Sequence, residues 1–291
     1  HREGRIFRYM PRFNPEVNQY WMCDAGRMTA YGLQGEGRLL RPLVRGGDAF
    51  AVADWTAALA GVGDRLSSLS RAQGRGTIGI IVSARASNEE VFLLRGLATS
   101  LAATIAGISW SPPDADHDDL LIKADKNPNT QGLALQDVPL DRTADELLAA
   151  ASAGTLQALV LCRTDLTAWR DAATVRAALE QVPYVVVLDT DQHETEEYGS
   201  VVLPIGTHAE GDGTFTNHAG RVQRFRRAVA LPGEAREGWA VLGDLFGRLA
   251  GEPAPASAEM VFAALAAEGR AFRDLSYEQL GDQGAAAGSR S

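Results

Sequence analysis

One stretch, NPEVNQYWMCDAGR at residues 14–27, sets a cysteine, Cys23, beside an acid, a glycine and an arginine. A thiolate is a good ligand for iron or zinc, but a cluster or a structural metal site takes several of them. The chain offers one other cysteine, Cys162, far downstream. Residue type alone therefore reads Cys23 as a half-buried free thiol, although its polar, turn-forming neighbours make it a poor core filler.

A second stretch, GDGTFTNHAGRVQRFRRAV at 211–229, gathers hydrogen-bond donors. Gly211, Gly213 and Gly220 permit backbone positions closed to other residues. Thr214, Thr216, Asn217, Arg221 and Gln223 carry groups suited to a phosphate or a pterin edge. The same spacing also fits a glycine-rich hairpin followed by a solvated basic run. Elsewhere Asp114, Asp116, His117, Asp118 and Asp119 crowd together, which reads as a solvated acidic loop. His193, His208 and His218 are scattered without metal-binding spacing. No Gly-x-Gly-x-x-Gly stands between a strand and a helix.

These residues need elements to hold them. GTIGIIVS (76–83) is a short apolar run and predicts a buried strand. Ser87 and Glu90 form a capping box that opens a helix, and Thr143 with Glu146 predicts a second one. QALVLCR (157–163), YVVVLDT (184–190) and SVVLP (200–204) predict further strands, separated by a helix over 167–181 and a short one over 193–198. Strand, helix, strand in this order implies parallel pairing with right-handed crossovers. The expected fold is α/β, a doubly wound, mostly parallel sheet. Its domain spans 49–251 and follows a small, arginine- and glycine-rich module with short β-like pieces over 1–48. GEPAPAS (251–257) marks a linker, so 252–291 are expected to form a helix and a flexible polar tail.

The chain has 291 residues, a net charge of −9 and 45% hydrophobic residues, an ordinary globular balance. The acidic sum does not suggest a nucleic-acid partner. Two cysteines make no disulfide framework, and no apolar run has the length of a membrane span. A reduced cytoplasmic setting is expected. The chain opens at His1 without an initiator methionine, and the expectation is a piece of a longer product.

Asn14, Val17, Asn18, Trp21, Cys23, Asp24, Gly26 and Arg27 match an Asn-x-x-Val-Asn-x-x-Trp-x-Cys-Asp-x-Gly-Arg pattern. That pattern resembles the close of the iron–sulfur domain in the molybdopterin oxidoreductase superfamily. The resemblance is nearest to the G-subunit family of bacterial NADH:quinone oxidoreductase, respiratory complex I. It implies that Cys23 is the fourth ligand of a 4Fe–4S cluster, with Val17 and Trp21 packed beside it to limit water. The other ligands, a Cys-x-x-Cys-x-x-x-Cys group, are expected upstream of His1.

ETEEYGSVVLPIGTHAEGDGTFTNHAGRVQ (194–223) resembles the stretch that lines the pterin dinucleotide site in molybdenum members. Gly199 and Ser200 replace the usual Ala-Asp, and His218 and Ala219 also depart from the pattern. SNEEVFLLRGLA (87–98) and LLIKADKNPNTQGL (120–133) resemble further segments, the latter one typical of the complex I family. Molybdenum members place a Cys, selenocysteine or Ser ligand after the early helix; here AGISWSPPDADHDD (106–119) offers Ser109 and Ser111 alone.

The resemblance therefore implies a degenerate domain without molybdopterin, in which Thr214, Thr216, Asn217 and Arg221 form a vestigial pterin loop. Arg221 is expected either to pair with Glu210 or Asp212 or to face solvent. The implied function is electron transfer in the peripheral arm of NADH:quinone oxidoreductase, among other subunits of that arm and at the inner face of the cell membrane. The alternative is a fragment of a molybdopterin enzyme such as a formate dehydrogenase α-chain.

Overall fold

The computed structural model describes residues 1–112, 116–118 and 120–288. The first forty residues are irregular apart from a short helix, α1 (Asp24–Met28), and the 3-10 turn Thr29–Tyr31 that follows it. GRIFRYM forms no strand; Arg2 and Arg5 close a tight turn instead. A hairpin, β1 (Leu43–Gly46) and β2 (Ala49–Val52), then runs across the change of texture that the sequence shows at residue 49. It leads into α2 (Trp55–Gln73), β3 (Ile78–Ser83), α3 (Asn88–Leu101) and β4 (Thr104–Ile108). Next come α4 (Thr130–Leu135), α5 (Arg142–Ser152), β5 (Ala158–Cys162), α6 (Leu166–Trp169), α7 (Ala172–Leu179), β6 (Val185–Asp189) and β7 (Val201–Pro204). A second hairpin, β8 (Gly213–Thr216) and β9 (Arg221–Phe225), precedes α8 (Gly238–Ala250), α9 (Ala258–Ala267), α10 (Tyr277–Leu280) and β10 (Ala285–Ala286).

The main sheet has the order β2-β1-β7-β6-β5-β3-β4. The five strands from β4 to β7 are parallel, and the β1–β2 hairpin adds an antiparallel edge. Strands β3, β5, β6 and β7 are buried at every residue, as unbroken apolar runs covered on both faces should be. Alternation along β3 sends Ile80 and Val82 to the face packed by α2, α3 and α8, and Ile81 to the face packed by α5 and α7. This is the doubly wound α/β arrangement that the sequence predicts.

The Ser87–Glu90 box forms as expected: Ser87 Oγ accepts from Glu90 N–H, and the Glu90 carboxylate accepts from Ser87 N–H at 2.8 Å. The box expected at Thr143 and Glu146 does not form. The helix starts two residues earlier, behind Asp141, whose carboxylate accepts from Ser109 N–H and Oγ–H. Glu146 turns instead to Arg142. The helix expected over 167–181 breaks in two, because Asp165 caps α6 and Asp171 caps α7, leaving Arg170 extended between them.

Up to residue 288, the tail expected to be flexible folds back. Tyr277 and Leu280 are buried, and β10 pairs with β9. Of the acidic loop, Asp114 and Asp119 lie outside the described residues; Asp118 accepts from three backbone N–H groups of its own loop. Among the described residues no group of three or more His, Cys, Asp or Glu is placed to hold a metal ion, and no helix is long and apolar enough to cross a membrane.

Candidate functional site

In an open parallel sheet the strand order reverses where one strand's crossovers leave to opposite sides, and a crevice opens beyond the carboxyl ends there. Here β3 has β4 on one side and β5 on the other. A cavity of about 380 Å³ lies beyond these ends, lined by Arg85 and Ser87 after β3, Arg163 after β5, Asp191 after β6 and His208 after β7.

The floor of this crevice is an ion pair. Arg163 follows β5 with φ +56°, a left-handed conformation that a non-glycine residue rarely holds. Its Nε and Nη2 donate to the two Glu90 oxygens at 2.8 and 2.6 Å, and Nη2 also donates to Gly206 O at 2.9 Å. Burial works against the guanidinium charge, but Glu90 outweighs it and holds Arg163 firmly protonated.

His208 stands edge-on to the rings of Phe215 and Phe225. Burial, and then the Arg163 charge, lower its pKa, so the imidazole is favoured neutral. Its Nε2 lies 2.8 Å from the Tyr9 hydroxyl. The roof comes from the N-terminal segment, with Thr29, Gly32 and Leu33 facing the cavity. Arg38 clamps that segment to the body through two 2.7 Å bonds to Glu210. Burial pushes the Glu210 pKa up, yet Arg38 and Thr207 bring it below the usual carboxylate value.

The β8–β9 hairpin divides its residues between two sides. Phe215 faces the crevice, while Thr214 and Thr216 turn the other way and are fully buried. Thr214 Oγ1 donates to Glu89 Oε1 and Thr214 N–H to Oε2, both at 2.9 Å. Asn88 Nδ2 donates to both threonine hydroxyls, and Thr216 N–H donates to Asn129 Oδ1. Tyr277 Oη completes the seam by donating to Glu89 at 2.9 Å. Burial pushes the Glu89 carboxyl up to about 7 against the pull of these donors.

Asn217 caps its own turn, accepting from Ala219 and Arg221 N–H, with Gly220 at φ +76°. Arg221 neither pairs with Glu210 or Asp212 nor faces solvent freely: Nη1 donates to Gly284 O, and Nη2 lies 3.6 Å from Glu16. Glu210 is taken by Arg38, and Asp212 sits beside Arg224. Thr214, Thr216, Asn217 and Arg221 thus do not line the crevice, and an aromatic pair, Phe215–Phe225 with centroids 4.7 Å apart, stands there instead. Of the two serines considered as metal ligands, Ser109 is bound to Asp141, and Ser111 Oγ accepts from Lys126 N–H.

Cys23 is a half-buried free thiol at the N-cap of α1, its Sγ accepting from Gly26 N–H at 3.3 Å. Val17 and Trp21 do not shelter it; they are 39% and 61% exposed. Asn18 accounts for their placement, because its side chain donates to Arg12 O and Trp21 O and fixes the turn with those side chains outward. Cys162 is fully buried in β5. Sequence reasoning missed Arg163, the Tyr9–His208 pair and the Arg38–Glu210 clamp, which join residues far apart in the chain and leave no local pattern.

Residues 126–248 match the molybdopterin oxidoreductase family. The chain is 39% identical over 100 residues to the NADPH-Fe(3+) oxidoreductase subunit alpha of Geobacter sulfurreducens, a stretch covering 34% of this chain and 12% of that protein. It is 39% identical over 116 residues to the F420-dependent formate dehydrogenase 2 subunit alpha of Methanococcus maripaludis, covering 39% and 17%. It is 38% identical over 97 residues to the G subunit of the NADH-quinone oxidoreductase of Streptomyces coelicolor, covering 33% and 12%. The matched stretches thus span less than a fifth of these relatives. Among solved structures, acetylene hydratase from Pelobacter acetylenicus shares the fold, with a TM-score of 0.55 at 10% identity over 92% of this chain and 69% of the other.

Proposed function

Starting from residues 126–248, which match the molybdopterin oxidoreductase family, we propose that the chain is part of an electron-transfer subunit of the peripheral arm of an NADH:quinone oxidoreductase. In this reading Cys23 is one thiolate ligand of a 4Fe–4S cluster whose other ligands come from outside these residues. The α/β body is a scaffold that turns over no substrate. The other subunits of that arm are its partners, at the cytoplasmic face of the membrane.

The observation that carries the scaffold reading is the inward turn of Thr214 and Thr216. Their hydroxyls are spent on Glu89 and Asn88, and Asn217 is spent on its own turn. A pterin dinucleotide needs free donors at its edges and phosphates. The crevice presents two phenylalanines beside Arg85 and Lys126, and its floor guanidinium is already paired with Glu90. Thr214, Thr216 and Asn217 are thus not free to hold the cofactor.

Cys23 suits its role better. A half-exposed sulfur with one backbone N–H directed at it resembles the ligands whose hydrogen bonds tune cluster potentials. A bound cluster would supply one-electron transfer. What this chain contributes is one sulfur, the cap that orients it, and the Arg38–Glu210 and Tyr9–His208 anchors that seat its segment on the body. Low-temperature EPR of the full-length gene product tests the assignment. Cys23→Ala should remove or distort one cluster signal, and an unchanged set of signals sinks it.

A second reading, a formate dehydrogenase-type α-chain, draws on the similar identity to the Methanococcus maripaludis protein. It requires the Thr214–Thr216 seam to open towards the crevice.

A further inference from the structure

The connection between β6 and β7 packs one imidazole among carboxylates. His193 Nε2 lies 3.2 Å from Asp189 Oδ2 at the end of β6, and its Nδ1 lies 3.9 Å from Asp165 Oδ1 beyond β5. Glu196 follows in the 3-10 turn Glu194–Tyr198. The His193 and Asp189 side chains are 13% and 11% exposed. Two atoms of the group, His193 Nδ1 and Glu196 Oε2, are buried without a hydrogen-bond partner among the described residues. A buried polar atom without a partner calls for an explanation. Here the explanation is a proton, because a neutral imidazole has one donor nitrogen and an imidazolium has two. A bare Nδ1 beside the Asp165 carboxylate has nothing to accept from. A protonated Nδ1 reaches that carboxylate once the gap closes by about 1 Å.

The other charges nearby are committed elsewhere. Arg163 holds Glu90, Arg176 holds Glu194, and Arg38 holds Glu210 and, at 3.5 Å, Asp191. Glu197 is exposed on the outside of the turn. Burial pushes the Cys162 thiol, behind Asp189, well up, and the Tyr198 phenol is raised as well, so neither carries charge at neutral pH. Among the described residues His193 is the one cation within ion-pair distance of Asp165 or Asp189. Burial pulls its pKa down, but the Asp189 hydrogen bond and charge, then Asp165 and Glu196, lift it above its ordinary 6.5. Burial pushes the Glu196 carboxyl up to about 7.

The same connection carries the roof of the crevice. Thr190 O accepts from Leu39 N–H at 3.0 Å and from Arg38 Nε at 3.1 Å, and Gln192 N–H donates to Gly37 O at 2.7 Å. We propose that His193 is a proton-operated latch. As imidazolium it ties Asp189 to Asp165 and locks residues 189–199 onto the 37–39 segment. Without its proton it leaves Asp165, Asp189 and Glu196 with no cation between them, and the bonds to 37–39 open. The latch lies in the α/β body, needs neither cluster nor cofactor, and stands or falls apart from the proposed function. Because the folded-state pKa of His193 is raised, its contribution is complete below about 6.5 and is lost as pH rises through the folded value. Glu196, raised too, loses its contribution in the same direction, between 4.5 and about 7.

The test is NMR of the 291-residue chain, following the imidazole nitrogens of its five histidines, together with hydrogen exchange corrected for its intrinsic pH dependence. The His193 signals, identified by their loss in His193→Gln, should titrate above 6.5. Between about pH 6 and about pH 9 the Leu39 and Gln192 amides should lose at least about tenfold in protection, while the β3 and β5 amides keep theirs. His193→Gln, which cannot take the second proton, should show the low protection already at about pH 6. Asp165→Asn, which keeps the imidazole, should lower its pKa and move the loss of protection to lower pH.

A His193 titration at or below 6.5 overturns the latch. So does full protection of Leu39 and Gln192 at about pH 6 in His193→Gln, or an unmoved transition in Asp165→Asn. A loss of protection confined to α10 and β10 overturns it as well, since Glu89 and not His193 would then be its cause.

Discussion

The seam beneath the β8–β9 hairpin and the turn around Cys23 use their polar residues in opposite ways. In the seam, Asn88, Glu89, Thr214 and Thr216 are all buried, and every hydroxyl among them has a partner within the domain. In the N-terminal turn the polar anchors point inward, and Phe13, Tyr20 and Trp21 face outward. A set of donors that holds its own fold together is not free for a ligand. In this chain the first stretch is buried structure and the second is surface.

Substitutions should expose this contrast. The largest loss is expected from Arg163→Met on the crevice floor. It strands Glu90, 3% exposed, without its partner, and breaking a buried pair in this way costs about 3–5 kcal/mol. Urea unfolding measures it, and a loss below about 1 kcal/mol would show the pair to be dispensable.

Next comes the pH response of the seam. The Glu89 carboxyl titrates near 7 in the folded protein, against an ordinary value of 4.5. Between those values the folded state keeps a proton that the unfolded state gives up. The stabilising contribution is therefore complete below about 4.5 and is lost as pH rises towards 7. The shift corresponds to roughly 3 kcal/mol at about 1.4 kcal/mol per pH unit. Glu89→Gln, an isostere of the protonated acid, should flatten that part of the stability profile; an unchanged slope would mean that Glu89 is ionised at no cost.

A smaller effect is expected at Tyr277→Phe, which removes one of the donors to Glu89 and should cost about 1–2 kcal/mol. Hydrogen exchange should then show α10 and β10 opening first. The smallest belongs to the other region: Trp21→Ser should change unfolding stability by less than about 0.5 kcal/mol, since its side chain packs against little. A large loss there would mean that the turn is part of the core.

Much of the sheet is legible in the sequence, because a strand buried on both faces must read as an unbroken apolar run; Ile78–Ser83 and Val185–Asp189 do so. The Ser87–Glu90 cap is legible for the same local reason. The Thr143–Glu146 pattern misleads because Asp141, drawn to Ser109 on a neighbouring strand end, already starts that helix. The site is less legible. The donors of GTFTN are visible as residue types, but period-two alternation sends Phe215, not the threonines, into the crevice, and spacing does not say which face is which. Arg38–Glu210 and Arg163–Glu90 join distant positions by tertiary packing, which leaves no local trace.

Whether this domain holds a molybdenum cofactor decides between scaffold and catalyst. Plasma mass spectrometry of the purified full-length gene product, counting iron and molybdenum per chain, tests that most directly. The seam geometry and the Cys23 motif together call for stoichiometric iron with no molybdenum above background. Molybdenum approaching one atom per chain would contradict the scaffold reading and restore the hairpin as a pterin site.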